Sequence, residues 1–168
     1  MTVKLIFLDC DGVMNKGLVA SNSNPEDVLR VRPFGWMNIS LINNLNRLTD
    51  TTQAKLVISS SWRLTSLVET QNMMSSFGIK AEVIGQTPEL ASRTCRGDEI
   101  QSWIDEHLEL LGLRQGNQFM QYIILDDTET MLPHHQDHYI QTDPFAGLTP
   151  AMVDRSINML NTLKNKEA

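Results

Sequence analysis

The chain alternates short, unbroken apolar runs with longer stretches in which apolar residues recur every three or four positions. Five runs predict strands, at residues 4–8, 55–59, 81–84, 122–125 and 139–141. The first contains Leu5, Ile6, Phe7 and Leu8 with no polar interruption, the pattern of a strand buried on both faces in a parallel sheet. Helical periodicity falls between the runs. Over 36–48, Trp36, Ile39, Ile42, Leu45 and Leu48 fall on a three-to-four-residue period. Residues 64–77 repeat the pattern less cleanly and meet a stop at Gly78. Residues 98–111 place Ile100, Ile104, Leu108 and Leu111 together, with Gly112 closing the helix. Thr149 and Pro150 supply an N-cap and a first-turn proline for a last helix reaching about residue 163. Strands alternating with helices predict an α/β domain whose parallel sheet is built by right-handed crossovers. Residues 16–35, rich in Asn, Ser and Pro, predict a loop or small flap, and 164–168 a frayed tail.

A chain of 168 residues is the size of one domain with a substantial core. Its net charge of −6 gives no footprint for non-specific nucleic-acid binding, which needs clustered Lys and Arg. A nucleic-acid end stays open as a substrate, because a bound metal can supply positive field locally. No basic-then-apolar leader is present and no apolar stretch approaches membrane-spanning length. Cys10 and Cys95 have neither metal-ligand spacing nor the look of a disulfide framework, so both are expected as reduced thiols in a cytoplasmic protein. The oligomeric state is not legible.

The candidate chemistry sits where the apolar runs end. The first ends in Asp9-Cys10-Asp11-Gly12, two carboxylates one residue apart at the carboxyl end of a strand, where open α/β sheets bind ligands. Carboxylates so close repel, and a hard cation with oxygen ligands such as Mg²⁺ relieves them. An ordinary Asp-Gly turn is the competing reading. The second run ends in Ser59-Ser60-Ser61-Trp62-Arg63, and the fourth in Asp126-Asp127. Between them stands Arg96, at a helix start.

Carboxylates, hydroxyl, cation and carboxylates, in that order, resemble the motifs of the haloacid dehalogenase (HAD) phosphohydrolase superfamily. The Ser-Ser-Trp-Arg segment, the Asp-Asp pair and the later Thr-Asp-Pro…Gly-Leu-Thr look most like the compact HAD domains associated with RNA-repair proteins. The resemblance implies a Rossmann-like three-layer sandwich, a five-stranded sheet in the order 5-4-1-2-3, and a single domain with residues 16–35 as a minimal cap. An open site of that kind admits a bulky substrate or a polymer end.

The resemblance also implies roles. Asp9 is the nucleophile that forms an aspartyl-phosphate, and Asp11 is the acid–base, its pKa raised by crowding. Mg²⁺ is held by Asp9, the Asp11 carbonyl, Asp126 and, directly or through water, Asp127. One hydroxyl of the serine run contacts the phosphoryl group. Counting apolar positions favours Ser60, with Ser59 next, although serine runs also serve as plain turns. Arg96 neutralises the phosphate where the family more often has lysine; Arg93 and Lys80 compete for that role. Ser61 and Gly12 complete the phosphate-contacting set, and Trp62 and Arg63 either grip a base or second phosphate or pack into the core. His134, His135 and His138 lack zinc-ligand neighbours and are expected to decorate a loop.

The reaction expected is Mg²⁺-dependent phosphomonoester hydrolysis on a nucleotide or a phosphorylated nucleic-acid end. A phosphotransferase of the same fold and a non-catalytic phosphate-binding module are the alternatives. A receiver-type phospho-acceptor is disfavoured, because Ile84-Gly85 stands where its aspartate belongs, and two acids with a metal suit phosphate better than a carbon–halogen bond.

Overall fold

The computed structural model of the chain describes residues 3–17, 24–90, 94–107 and 121–162. In chain order its elements are β1 (Lys4–Leu8), β2 (Val28–Val31), β3 (Gly35–Asn38), α1 (Ile39–Thr52), β4 (Lys55–Ile58), α2 (Leu67–Ser76), β5 (Val83–Gln86), α3 (Arg96–His107), β6 (Gln121–Asp126), β7 (Tyr139–Gln141) and α4 (Pro150–Thr162). Five strands form one parallel sheet in the order β5-β4-β1-β6-β7. That order is not 5-4-1-2-3 in the chain's own count. Two strands absent from the sequence reading, β2 and β3, pair antiparallel as a separate hairpin and shift the numbering. Within the sheet, β1 lies between β4 and β6, with Leu8 level with both Ile58 and Leu125.

Strand β1 is apolar throughout because both of its faces are covered. Ile6 and Leu8 join Leu45, Leu56, Ile58, Val153 and Leu160 on the side of α1 and α4. Leu5 and Phe7 join Val57, Ile100, Trp103 and Ile124 on the side of α3. Each such side chain contributes about 1.5–3 kcal/mol when fully removed from water. The core therefore clamps the carboxyl end of β1, where Asp9 follows.

The predicted helix over 36–48 begins instead at Ile39, and Trp36 belongs to β3. Residues 35–38 are drawn into extended structure by pairing with β2, and the Asn38 N–H donates to Met14 O at 2.9 Å. Ile39 is consequently 41% exposed, while Leu41 joins Ile42, Leu45 and Leu48 on the buried face. Asp27 accepts from the Ser40 N–H at 2.6 Å, satisfying a donor in the first turn of α1. Helix α2 starts three residues later than read, behind a Ser66–Glu69 capping box. Helix α3 starts at Arg96, and the expected continuation over 108–112 lies outside the described residues, as do 163–168. Strand β5 starts at Val83 rather than residue 81, and Thr149 Oγ1 caps α4 by accepting from the Met152 N–H. No helix among the described residues is long and apolar enough to cross a membrane.

Candidate active site

Asp9 leaves β1 with its N–H bonded to Leu125 O at 3.0 Å, so the parallel ladder itself fixes the carboxylate beside the end of β6. There it meets Asp126 and Asp127, and ligand oxygens of the three residues all lie within 4.8 Å of one another. Asp9 and Asp126 are buried and Asp127 half-buried. Burial, then the charge of Asp126, pushes the Asp9 carboxyl up to about 7 against the pull of Arg96. Burial raises Asp126 to about 6, with Asp127 adding to it and the Thr128 N–H and Arg96 opposing. Asp127 is raised too, by burial and the neighbouring Asp11 charge. Crowding and burial together therefore raise all three carboxylates of the cluster.

The main cation of this cluster is Arg96. Its Nε lies 3.2 Å from Asp126 Oδ2, its Nη2 3.8 Å from Asp9 Oδ1, and its Nη1 2.9 Å from Glu99 Oε2. Burial disfavours its charge, but Asp9, Asp126 and Glu99 outweigh burial and raise its pKa. Gly97 allows this approach. A Cβ there would stand 2.7 Å from the Leu132 backbone nitrogen, so a larger residue would lift the start of α3 away from the cluster. Lys80 is excluded as the phosphate cation, since it precedes β5, at the opposite end of the sheet, and pairs with Asp50. Arg93 lies outside the described residues.

One observation tests whether a divalent cation suits this donor set. Asp126 Oδ1 accepts from the Thr128 N–H, but buried Oδ2 accepts no hydrogen bond and has only the unaligned ion pair with Arg96. A buried carboxylate oxygen with no aligned hydrogen bond, in a cluster of three carboxylates, is a donor set that fits a hard, oxygen-seeking cation. Gly12 keeps Asp127 in the set. Its φ is +71°, and a Cβ would fall 2.3 Å from Asp127 Oδ2.

The serine turn divides its work. Ser60 Oγ accepts from the N–H groups of Cys10 and Trp62, both at 3.3 Å, and holds the loop beside Asp9. Continuing the β1–β4 register by one residue sets Ser59, not Ser60, level with Asp9, because β4 ends at Ile58. The Ser59 hydroxyl is buried with no hydrogen-bond partner. Ser61 is exposed and lines the cleft.

Trp62 does not offer a stacking face to a base. It is 1% exposed, and Phe34 covers it with ring centroids 5.3 Å apart at 20°. Its indole N–H instead donates to Asp11 Oδ2 at 2.9 Å, and Asn15 Nδ2 donates to Asp11 Oδ1 at 2.8 Å. Arg63 bonds Thr87 Oγ1 at 2.6 Å and Glu99 Oε2 at 3.0 Å. Glu99 thereby links both arginines. Asn15, Glu99 and Thr87 were missed in the sequence; only Glu99, one turn after Arg96, left a signal there.

Beyond the carboxylates a cleft of about 810 Å³ runs over the ends of β4 and β5 towards α3, past Arg63, Gln86, Thr87 and Glu99. Cys10 is buried and its thiol is held well above its usual range by burial and by Asp9, so it stays un-ionised. The histidines are not mere loop decoration. They lie in a 3₁₀ turn, Pro133–His138, where His135 is fully buried and His138 stacks on Tyr122.

A family model described as the HAD domain in Swiss Army Knife RNA repair proteins matches residues 5–153. The chain belongs to that family. No curated protein sequence matches it. Among solved structures it is similar to a protein of Legionella pneumophila assigned to the HAD superfamily, subfamily III A hydrolases. The two are 14% identical with a TM-score of 0.43, over 97% of this chain and 86% of that one.

Proposed function

We propose that the protein is a Mg²⁺-dependent phosphomonoesterase acting through an aspartyl-phosphate, on a nucleotide or a phosphorylated nucleic-acid end. The observation that carries this reading is the Asp9–Asp126–Asp127 cluster with Arg96 beside it at the carboxyl end of the sheet. Family membership supports the phosphohydrolase class, and the RNA-repair association supports phosphorylated nucleotide chemistry.

Asp9, Asp126, Asp127 and the Asp11 carbonyl would hold the cation, which when bound supplies charge neutralisation and orientation of the phosphate. Asp9 Oδ attacks phosphorus in line as the bond to the leaving oxygen breaks. That oxygen takes its proton from Asp11. Asp11 then removes a proton from water, whose oxygen attacks phosphorus. The bond from phosphorus to Asp9 breaks, inorganic phosphate leaves, and Asp9 is restored as a carboxylate while Asp11 again carries its proton. Arg96 offsets charge on the phosphoryl oxygens. A serine hydroxyl holds the phosphoryl group: Ser60 Oγ accepts two N–H groups and keeps its proton to donate beside Asp9, while Ser59 Oγ is buried without a partner among the described residues. The β2–β3 hairpin acts as the small cap of a one-domain enzyme, leaving the cleft open.

Turnover of a panel of phosphorylated nucleosides, sugars and oligonucleotide ends tests the reading. Mg²⁺ should support hydrolysis, EDTA should stop it, and Ca²⁺ should fail to replace Mg²⁺ because its larger shell recruits extra oxygens. Full activity in EDTA would remove the metal from the reading. Phosphoryl transfer to an added alcohol in preference to water would identify a phosphotransferase.

A further inference from the structure

Asp11 is exposed, yet both of its carboxylate oxygens are held. A free aspartate at a surface samples several rotamers, so two fixed donors are a specific arrangement. Oδ2 accepts from Trp62 Nε1 at 2.9 Å, and the buried indole has no other polar atom with which to hydrogen-bond. Oδ1 accepts from Asn15 Nδ2 at 2.8 Å.

Both donors lead to the hairpin. The ring of Phe34, at the β2–β3 turn, stacks on Trp62 at 5.3 Å. Asn15 Nδ2 also donates to Trp36 O at 3.2 Å, and Asn15 Oδ1 accepts from the Gly12 N–H at 2.9 Å. The Lys16 N–H donates to Asn38 Oδ1, and the Asn38 N–H to Met14 O, so the loop after Asp11 and strand β3 are stitched together.

We propose that Trp62 is a positioning residue for Asp11, and that the β2–β3 hairpin, through Phe34, sets the orientation of the acid–base. This rests on the acid–base role given to Asp11 under the proposed function. Each carboxylate oxygen keeps one lone-pair direction free after accepting its donor, so the clamp aims Asp11 without consuming its capacity to carry a proton. The burial of Trp62 is then explained by catalysis as well as by packing. A base-stacking role is not needed.

The test compares wild type, Trp62→Phe, Phe34→Leu and Asp9→Asn on an aryl phosphate and a nucleoside monophosphate. Trp62→Phe keeps an aromatic ring under Phe34 but removes the N–H donor together with part of a buried ring, so the Asp11→Ala background is needed to isolate the donor's share. Turnover of the nucleoside monophosphate should fall about tenfold, since departure of a poor leaving group depends on an aligned acid. The initial release of aryl alcohol should change by less than about twofold, because that leaving group needs little protonation. Phe34→Leu should move both readings in the same sense by a smaller amount.

A second readout does not depend on activity. The fall in Tm caused by Trp62→Phe should shrink by about half or more in an Asp11→Ala background, as expected for directly interacting residues. Additive Tm shifts, or an equal loss of the first step with both substrates while turnover remains Asp9-dependent, would overturn the role of Trp62 alone. Persistent turnover in Asp9→Asn would overturn the proposed function on which it rests.

Discussion

Arg96 Nε lies 3.2 Å from Asp126 Oδ2, a buried oxygen that accepts no hydrogen bond. The same guanidinium reaches Asp9 and Glu99, so one side chain spans three acids. Arg96→Ala should lower kcat/KM by about 100-fold, as loss of a bidentate, charge-assisted phosphate contact implies. Arg96→Lys restores the charge but not the fork, and should recover only part of that loss. Steady-state kinetics on one substrate checks both; equal activity of Arg96→Lys and wild type would show that charge alone suffices.

Asp9 and Asp11 should separate by the step each one limits. Asp9→Asn should abolish turnover with the far-ultraviolet circular dichroism unchanged, because an amide is a poor nucleophile and a weaker metal ligand. Asp11→Asn should lose most activity on a sugar hydroxyl leaving group. With an aryl phosphate it should show a burst of aryl alcohol and then slow turnover, as phospho-enzyme accumulates. Stopped-flow traces decide this, and a uniform loss of the first step would reduce Asp11 to an organising residue.

The crowded carboxylates carry a sign that can be measured. Asp9 titrates near 7 in the folded protein against 3.8 for the free side chain. Between those values the folded state holds a proton that the unfolded chain has released. Stability of the metal-free protein should therefore fall as pH rises from about 4 to about 7, by an amount on the order of a few kcal/mol. Mg²⁺ should raise Tm more at pH 8 than at pH 5, because only the ionised cluster recruits it. His135 acts in the opposite sense. Burial, with His134 and His138 adding to it, lowers its pKa from 6.5 to about 4. The unfolded chain takes up a proton first, so its contribution is lost as pH falls through that window. Asp9→Asn should leave a shallower slope between pH 4 and 7. An unchanged slope would separate Asp9 from the effect.

Gly12→Ala should be costly twice over. The left-handed backbone penalises any Cβ by roughly 1–3 kcal/mol, and this Cβ would stand 2.3 Å from Asp127 Oδ2. We expect a lowered Tm and a rise of at least about tenfold in the Mg²⁺ concentration needed for half-maximal activity. Normal metal dependence with only a lowered Tm would place Asp127 outside the metal site.

Much of the sheet was legible because strands buried on both faces read as plain apolar runs, and the acids at their ends stood out against them. The hairpin was not. Each of its strands is four residues long, and Trp36 stands three residues before Ile39, the spacing that also separates Ile39, Ile42 and Leu45, which made an extended segment look like the first turn of α1. Arg96 led Lys80 in the sequence by its place at a helix start between the acidic motifs; the sheet shows that the two stand at opposite ends of it. The end of β4 at Ile58 sets Ser59 level with Asp9 in the register while Ser60 hydrogen-bonds beside the carboxylate, a division that counting apolar positions does not give. The fate of Trp62 turned on a hydrogen bond across 51 positions, which no local pattern encodes.

The loop that follows Asp9 is tied down from far along the chain. Thr142 Oγ1 donates to Gly12 O across 130 residues, and the Leu148 N–H donates to Val13 O. The motif that comes first of the four along this chain is thus among the last to be locked. Strand β1 has both of its neighbours once β6 is made, but the loop of Gly12 and Val13 lacks these two ties until β7 and the turn after it emerge, and contacts of such long range form late. A nascent chain halted before residue 142 would carry every acid of the cluster and still lack these two ties on its shape, so the loop would be locked only once the segment through Leu148 is made.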